Sequence, residues 1–149
     1  MTRRDGQLRE TLQAHGLRYS RPREVILTFF GERDRHVSAE ELHLELKHRG
    51  ENLSLSTVYL NLGVLKQAGL VREFSGAGGE AFYDSNVGPH HHLICTHCGT
   101  VVDLPEVFVS GTTLAELLKR QAETLLAWQV GEPDIGIRGL CPDCQDAER

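Results

Sequence analysis

The chain lacks long apolar runs and has few aromatic residues. No stretch of its 149 residues approaches the roughly 20 apolar residues of a membrane-spanning helix, and no signal-peptide pattern opens it. Aromatic residues make up 6% of the sequence, although hydrophobic residues reach 40%, a proportion typical of globular proteins. We therefore expect a globular protein that lies in the cytoplasm and has no membrane partner.

Cysteine is scarce, and all four cysteines fall into two C-x-x-C pairs. Two thiolates at this spacing reach one tetrahedral ion from a tight turn, and Gly99 lets the backbone reverse there. Two pairs with no cysteine left over predict a structural Zn²⁺ site formed by Cys95, Cys98, Cys141 and Cys144. The alternative is two unrelated pairs, redox-active or free. It is disfavoured because redox C-x-x-C motifs usually open a helix after a strand, and neither pair does so in the predicted elements.

The sequence also lacks the positive charge that is typical of nucleic-acid-binding proteins, since its net charge is −5. The charge is unevenly distributed. Residues 1–84 hold equal numbers of basic and acidic residues, so the excess acidity belongs to residues 85–149. Arginines are concentrated near the N-terminus, at Arg3, Arg4, Arg9, Arg18, Arg21 and Arg23. This asymmetry permits the N-terminal half to contact phosphates without proving that it does.

Helical spacing of apolar residues organises the N-terminal half. The predicted helices are residues 7–15, a segment beginning at Ser20-Arg21-Pro22, one beginning at Ser38, and one from Ser54–Ser56 to Gly69. Two predicted strands, Leu70–Phe74 and Ala81–Tyr83, follow with a glycine-rich turn between them. Helices followed by a β-hairpin predict a winged helix-turn-helix domain, whose last helix reads DNA bases with its N-terminal residues. Small helical domains of other function share this outline.

The C-terminal half is predicted to be a small α/β domain. The polar, turn-rich segment after Tyr83 places a DNA-binding domain at residues 1–84, a hinge at 85–89 and a metal-binding dimerisation domain at 90–149. Strands are predicted at Leu93–Cys95, Trp128–Val130 and Ile135–Arg138. Leucines between them form a helical face too wide for so small a domain to bury, which favours a homodimer. The fold class is α+β, a winged helix-turn-helix domain plus this small α/β dimerisation domain with its structural zinc.

Three consecutive histidines, His90, His91 and His92, precede the first C-x-x-C pair. Side chains alternate along a strand, so His90 and His92 share one face and His91 points away. Two imidazoles beside a carboxylate suit a borderline divalent metal. The alternative is a run of solvated histidines. Because His91 points away from the predicted metal, we expect its replacement by alanine to be close to neutral.

These motifs resemble the ferric uptake regulator family over nearly the whole chain. The similarity rests on a G-x-R motif at residues 16–18, an S-x-x-T-V-Y motif at 54–59 and an H-x-H-x-x-C-x-x-C-G-x-x-x-D signature at 90–103. The resemblance implies a dimeric, metal-activated transcription factor, usually a repressor, and not an enzyme. Its genes would be those of metal homeostasis or of the peroxide-stress response.

The resemblance also implies a regulatory metal site. Members of the peroxide-responsive branch bind Fe²⁺ or Mn²⁺, with Zn²⁺ possible in vitro, through three histidines and two aspartates. The matching positions in this sequence are His36, Asp84, His90, His92 and Asp103. Iron-responsive members more often have glutamates at the two carboxylate positions. Some members have a further His/Asp/Glu site, and its positions are here Pro89, His91 and Pro133, so that site is expected to be absent or incomplete.

Other functions remain open at this point. A metal-uptake regulator that does not sense peroxide would use the same ligands. A metallohydrolase using His90, His92 and Asp103 is disfavoured, because five candidate ligands leave no open coordination position. A zinc-ribbon interaction module would leave the helix-turn-helix unexplained.

The expected DNA contacts lie at the N-terminal end of the last predicted helix of the winged domain and on one arginine ahead of it. They are Arg18, Ser56, Thr57, Tyr59, Leu60 and Asn61. The implied partner is a double-stranded operator that is palindromic and AT-rich. Many family members have arginine where this chain has Leu60, so its base preference is expected to differ. The remaining histidines, His15, His43, His48 and His97, are expected at the surface.

Overall fold

The computed structural model describes residues 3–86 and 90–147. Its helices are α1 Arg3–Ala14, α2 Arg21–Gly31, α3 Ala39–His48, α4 Leu55–Gln67, α5 Leu114–Leu126 and α6 Pro142–Ala147. Its strands are β1 His36–Val37, β2 Arg72–Ser75, β3 Ala81–Asp84, β4 His90–Cys95, β5 Val101–Pro105, β6 Phe108–Val109, β7 Thr112–Thr113 and β8 Gly136–Gly139. This order of helices and strands confirms the predicted α+β class.

The chain divides into two compact units. The first, which we call the helical unit, contains the described residues up to Phe74 and those from Glu80 to Asn86. The second, the sheet unit, contains the turn Ser75–Gly79 and the described residues from His90 onward.

Side-chain caps begin four of the helices, three of which start where the sequence predicted. Ser20, Ser38 and Ser54 each accept a hydrogen bond from the backbone N–H three residues further on, and Thr113 does the same for α5. These bonds satisfy N–H groups that have no partner within the helix. The helix α1 begins four residues earlier than predicted, at Arg3 rather than at residue 7.

The core of the helical unit is formed by the predicted apolar stripes. Its fully buried side chains include Leu12, Ile26, Leu42, Leu46, Val58, Leu62 and Leu65. On α4 the buried positions 58, 62 and 65 follow helical spacing, so they turn Ser56, Tyr59 and Leu60 outward. The core therefore determines which face of α4 remains available to a partner.

A small antiparallel sheet completes the helical unit, with strand order β1-β3-β2. The strand β1 has two residues and was not predicted. It pairs with β3 so that His36 lies opposite Asp84 and Val37 opposite Tyr83. This pairing brings together two residues that are far apart in the sequence.

The sheet unit is built around β4, which lies between β5 and β8. It pairs antiparallel with β5, with His92 opposite Asp103, and parallel with β8, with His92 opposite Gly136.

The predicted strand at Trp128–Val130 is wrong. The helix α5 ends at Leu126, and Ala127 adopts a left-handed conformation with φ 55° that turns the chain away from an extended course. Trp128 is largely exposed.

The helix α5 has a strongly one-sided distribution of leucines, yet none of its residues is buried. Leu118, Leu125 and Leu126 are 47%, 69% and 66% exposed. None of the helices in the described part of the chain is both long and apolar enough to cross a membrane.

Candidate metal sites and DNA-reading helix

The structure brings together all four cysteines. Their sulfur atoms lie within 4.8 Å of one another, and Cys98 Sγ is 3.8 Å from Cys141 Sγ. Four sulfurs bound tetrahedrally to zinc at about 2.3 Å are separated by about 3.8 Å. The Cys98–Cys141 pair therefore already has the spacing that a tetrahedral zinc requires, and the other sulfur–sulfur distances exceed that spacing by no more than about 1 Å.

The environment of the sulfurs also suits a cation. Cys95 Sγ accepts backbone N–H groups from Cys141 and Cys98, each at 3.5 Å. These bonds lower the pKa of Cys95 to about 5, so this sulfur is a thiolate at neutral pH. The neighbouring Cys141 sulfur and burial raise the pKa of Cys144 to about 12. Four adjacent thiolates repel one another unless a cation binds them, which is the condition that Zn²⁺ meets.

We expect Cys141→Ser to destabilise the sheet unit severely. Structural zinc contributes ~10 kcal/mol or more in small domains, and Cys141 connects the C-terminal segment to the first cysteine pair. The measurements are zinc content by atomic spectroscopy and the melting temperature. A variant that keeps one zinc per chain and an unchanged melting temperature would contradict the structural role.

The helical unit contributes a histidine and a carboxylate to a second group of donors. His36 Nε2 lies 3.4 Å from Asp84 Oδ2, and the Asp84 side chain is fully buried. The other carboxylate oxygen of Asp84 accepts the backbone N–H of Asn86 at 2.8 Å. The His36 ring is edge-on to Phe74, with ring centres 5.4 Å apart. Both side chains are therefore oriented by neighbours in their own unit.

The sheet unit contributes two histidines and a carboxylate. Nε2 of His90 and Nε2 of His92 each lie 3.7 Å from the same oxygen, Oδ1 of Asp103. The two imidazoles are nearly perpendicular, with ring centres 4.8 Å apart, and both are buried. Ligand atoms about 2.1 Å from one ion are separated by about 3.0–3.5 Å. Small side-chain adjustments would therefore bring these three donors to one divalent ion, and the residues fit such a site.

His91 has a different environment from the one expected. It lies on the opposite face of β4 from His90 and His92, as alternation requires, but it is 2% exposed. Its Nε2 lies 2.9 Å from Oε1 of Glu106 and donates to it, and this bond lowers the pKa of the Glu106 carboxyl. The alternative of a solvated histidine run is therefore wrong. His91 does point away from His90 and His92, but its burial and its bond to Glu106 remove the reason to expect that its replacement has no effect on stability. No sequence pattern had singled out Glu106.

We now expect His91→Ala to lower the melting temperature by several degrees. It would leave the Glu106 carboxylate without its histidine donor, and unpaired buried polar groups are costly. His97→Ala is the matched control, because His97 is exposed in the next turn. Equal melting temperatures for the two variants would show that the His91–Glu106 pair contributes nothing to stability.

Four of the six predicted DNA contacts are exposed. Arg18, Ser56, Tyr59 and Leu60 are exposed and Thr57 is half-buried. Asn61 is 6% exposed, and its amide donates to the Thr57 carbonyl oxygen at 2.8 Å, one turn back. The expectation that Asn61 lies on the exposed end of the helix is wrong.

A carboxylate that the sequence did not mark holds the Tyr59 side chain. The Tyr59 hydroxyl donates to Oε1 of Glu40 on α3. This hydrogen bond raises the pKa of Tyr59 and lowers that of Glu40. The phenol ring is thus anchored at its outer end before any partner binds.

The remaining histidines are placed largely as expected. His15, His48 and His97 are exposed, and His43 is half-buried. Of the positions assigned to the further metal site, Pro133 is half-buried and His91 is paired with Glu106. Pro89 lies outside the described residues.

A helix-turn-helix with an exposed α4, joined to a unit with a four-thiol cluster, defines a metal-dependent DNA-binding regulator. The ferric uptake regulator family model matches residues 14–125, so the chain belongs to the ferric uptake regulator family. The resemblance inferred from the motifs is therefore confirmed, together with the metal-dependent, DNA-binding regulatory function of the family.

Several characterised relatives are similar over most of their length. The peroxide-responsive repressor PerR of Staphylococcus aureus is 29% identical over 136 residues, which cover 91% of this chain and 88% of PerR. The structure of the Vibrio cholerae ferric uptake regulator is 29% identical with a TM-score of 0.66, over 89% of this chain and 98% of that one. The Pseudomonas aeruginosa ferric uptake regulator with manganese is also 29% identical, with a TM-score of 0.62 over 95% and 99% of the two chains.

Proposed function

We propose that the protein is a homodimeric repressor whose binding to a palindromic, AT-rich operator requires Fe²⁺ or Mn²⁺, while Zn²⁺ at the four cysteines is structural. The single observation that carries this proposal is that the sulfur donors are grouped apart from the nitrogen and oxygen donors. Four sulfurs form one cluster, and imidazoles with carboxylates form the other groups. Thiolates favour zinc, whereas mixed nitrogen and oxygen donors suit iron and manganese. Since its partner is DNA, we place the repressor in the cytoplasm.

The regulatory ion would take its ligands from both units. The helical unit offers His36 and Asp84, and the sheet unit offers His90, His92 and Asp103. Two donors or three are too few to hold such an ion alone, whereas the five together suit it. An ion that needs both sets of ligands would favour the orientation of the two units in which both sets reach it. It shifts the population of orientations only as far as its affinity differs between them. In a dimer, that orientation sets the spacing of the recognition helices, which must match half-sites about one DNA turn apart.

The exposed leucines of α5 support the dimer. Leu118, Leu125 and Leu126 are exposed on a helix none of whose residues is buried in the described part of the chain. Contiguous exposed apolar surface of this kind is typical of an association site. A second copy of the chain, related by twofold symmetry, would present the same stripe and cover it.

The outer face of α4 would read the operator. Ser56 and Tyr59 provide hydroxyl groups, and the Tyr59 ring can pack against thymine methyl groups, as can Leu60. Arg18 can neutralise a phosphate. Because Leu60 cannot donate to guanine, unlike the arginine of many relatives, its contact favours A·T pairs at that position.

The test of this function is the response of DNA binding to metal. We expect Mn²⁺ to strengthen binding of the wild-type protein to a palindromic AT-rich duplex, and His90→Ala or Asp103→Ala to abolish that increase while retaining one zinc per chain. The measurement is fluorescence anisotropy at fixed salt with rising Mn²⁺, and His97→Ala is the matched control. Wild-type binding that ignores metal would overturn the metal-dependent repressor, and a normal response in His90→Ala would remove His90 from the site.

A peroxide response is a second candidate, favoured by aspartates at both carboxylate positions. In such a response peroxide would take two electrons from a ligand imidazole, leave one of its oxygen atoms on the ring and release the other as water. A bound Fe²⁺ would supply the redox chemistry that starts this oxidation, which Mn²⁺ does not readily do. The oxidised imidazole would be a poorer metal ligand, so the ion would be lost and the operator released. By family resemblance the oxidised residue is His36 or His90.

Mass spectrometry of peptides distinguishes the two candidates. We expect one added oxygen atom on the peptide containing His36 or His90 after mild peroxide treatment of the Fe²⁺-loaded protein. The Mn²⁺-loaded protein should remain unmodified. Oxidation that is absent, or confined to the cysteines, would favour a metal-uptake regulator that does not sense peroxide.

A further inference from the structure

A carboxylate outside the five predicted ligands faces the His92 ring. Oδ1 of Asp134 lies 3.8 Å from Nδ1 of His92, whereas Nε2 of the same ring lies 3.7 Å from Oδ1 of Asp103. The imidazole therefore has a carboxylate at each of its two nitrogen atoms. His92 is 2% exposed, so solvent has little access to either edge.

The backbone determines this placement. The His92 backbone N–H donates to the Ile135 carbonyl oxygen at 3.1 Å, and His92 lies opposite Gly136 in the parallel pair β4–β8. Glycine permits a close approach at that point, because a Cβ on Gly136 would lie 3.2 Å from Cδ1 of Ile94. Asp134 directly precedes the residue that hydrogen-bonds His92, so the strand pairing aligns its side chain with the ring.

We propose that Asp134 is a positioning residue for the regulatory metal site. Its carboxylate accepts the Nδ1–H of His92 and thereby keeps Nε2 unprotonated, the form in which that nitrogen binds a metal ion. This inference rests on the proposed function of His92 as a ligand. A neutral imidazole carries one proton on one of its two nitrogens, and only the other nitrogen can bind metal. Carboxylates that hydrogen-bond the far nitrogen of a metal-bound histidine fix its tautomer and orientation.

The distance of 3.8 Å is longer than a hydrogen bond, and the Asp134 side chain can close it. Its side chain is 40% exposed, so it can rotate without displacing a packed core. A shift of about 1 Å brings the two atoms to an N–H···O distance. Asp134 faces Nδ1, whereas Asp103 faces Nε2, so Asp134 acts through His92 and not as a ligand itself.

The experiment compares Asp134→Ala and Asp134→Asn with Glu132→Gln, a matched control at an exposed carboxylate two residues earlier. The first measurement is the tautomer of His92 by ¹⁵N NMR on the zinc-containing dimer at about pH 8, where imidazoles are ordinarily neutral. His92→Gln assigns the signal. We expect the Nδ1–H tautomer in the wild type and in Glu132→Gln, and a mixture of tautomers in Asp134→Ala.

The second measurement is Mn²⁺ affinity by competition with a fluorescent chelator. We expect a loss of ~10–100-fold in Asp134→Ala, the range usual for a partner behind a metal ligand. Asp134→Asn keeps an acceptor oxygen, so it should retain the tautomer and lose less affinity. Zinc content and melting temperature should match the wild type in both variants.

The two measurements together decide whether Asp134 is a positioning residue. An unchanged tautomer with unchanged Mn²⁺ affinity in Asp134→Ala overturns the proposal. An unchanged tautomer with lost affinity would make Asp134 a ligand, which also overturns it. If Asp134→Ala fails to retain zinc, Asp134→Asn decides by the same two measurements. If wild-type DNA binding ignores Mn²⁺, the proposed repressor function fails, while the tautomer still reports on Asp134.

Discussion

The register of β4 is the constraint on which both candidate sites of the sheet unit depend. Alternation along six residues directs His90 and His92 to one face and His91 to the other, and Cys95 ends the strand. A slip of one residue would exchange the faces and move both imidazoles away from Asp103. Two neighbours prevent such a slip, since β5 pairs along one edge and β8 along the other. Near the thiol cluster, the Thr96 backbone N–H donates to the Gly139 carbonyl oxygen at 2.9 Å. A zinc bound there would therefore hold the register that aligns the histidines.

In the helical unit, the position of the short strand β1 depends on the side chains packed beside it. The strand β1 has only two residues, too few to be stable alone. The residue before it, Arg35, lies over the Phe29 ring at 4.0 Å and binds Glu32 at 3.1 Å. Arg49, at the end of α3, binds the same glutamate, and this interaction lowers the Glu32 pKa. The connection between α2 and α3 is thus held on the buried Phe29, which orients His36 toward Asp84.

Much of this arrangement could be predicted from local sequence patterns. The helical spacing on α4, the helix starts at Ser20, Ser38 and Ser54 and the pairing of the C-x-x-C motifs each follow from a short-range rule, and the three helices begin at the predicted residues. The strand β1 is too short to show a period. Asn61 follows Val58 by three residues and precedes Leu65 by four, so it shares their buried face of α4. Its polar side chain does not by itself indicate that burial. The partners Glu106 and Asp134 depend on strand pairing, and pairing is not readable from one sequence without the fold.

The cysteine cluster and the groups of histidines and carboxylates differ in whether a metal ion must displace protons when it binds. Cys144, with its pKa raised to about 12, must lose a proton when zinc binds, so the thiol cluster suits an ion of high affinity that is acquired with folding. Imidazoles and carboxylates are ordinarily able to bind metal at neutral pH without losing a proton. An ion held by such donors can bind and leave as its concentration changes, while the zinc stays in place. Affinity alone would still favour Zn²⁺ over Fe²⁺ or Mn²⁺ at nitrogen and oxygen donors. The response of the protein is therefore governed by which ion the cell makes available and by the donor geometry, in which the carboxylate behind His92 takes part.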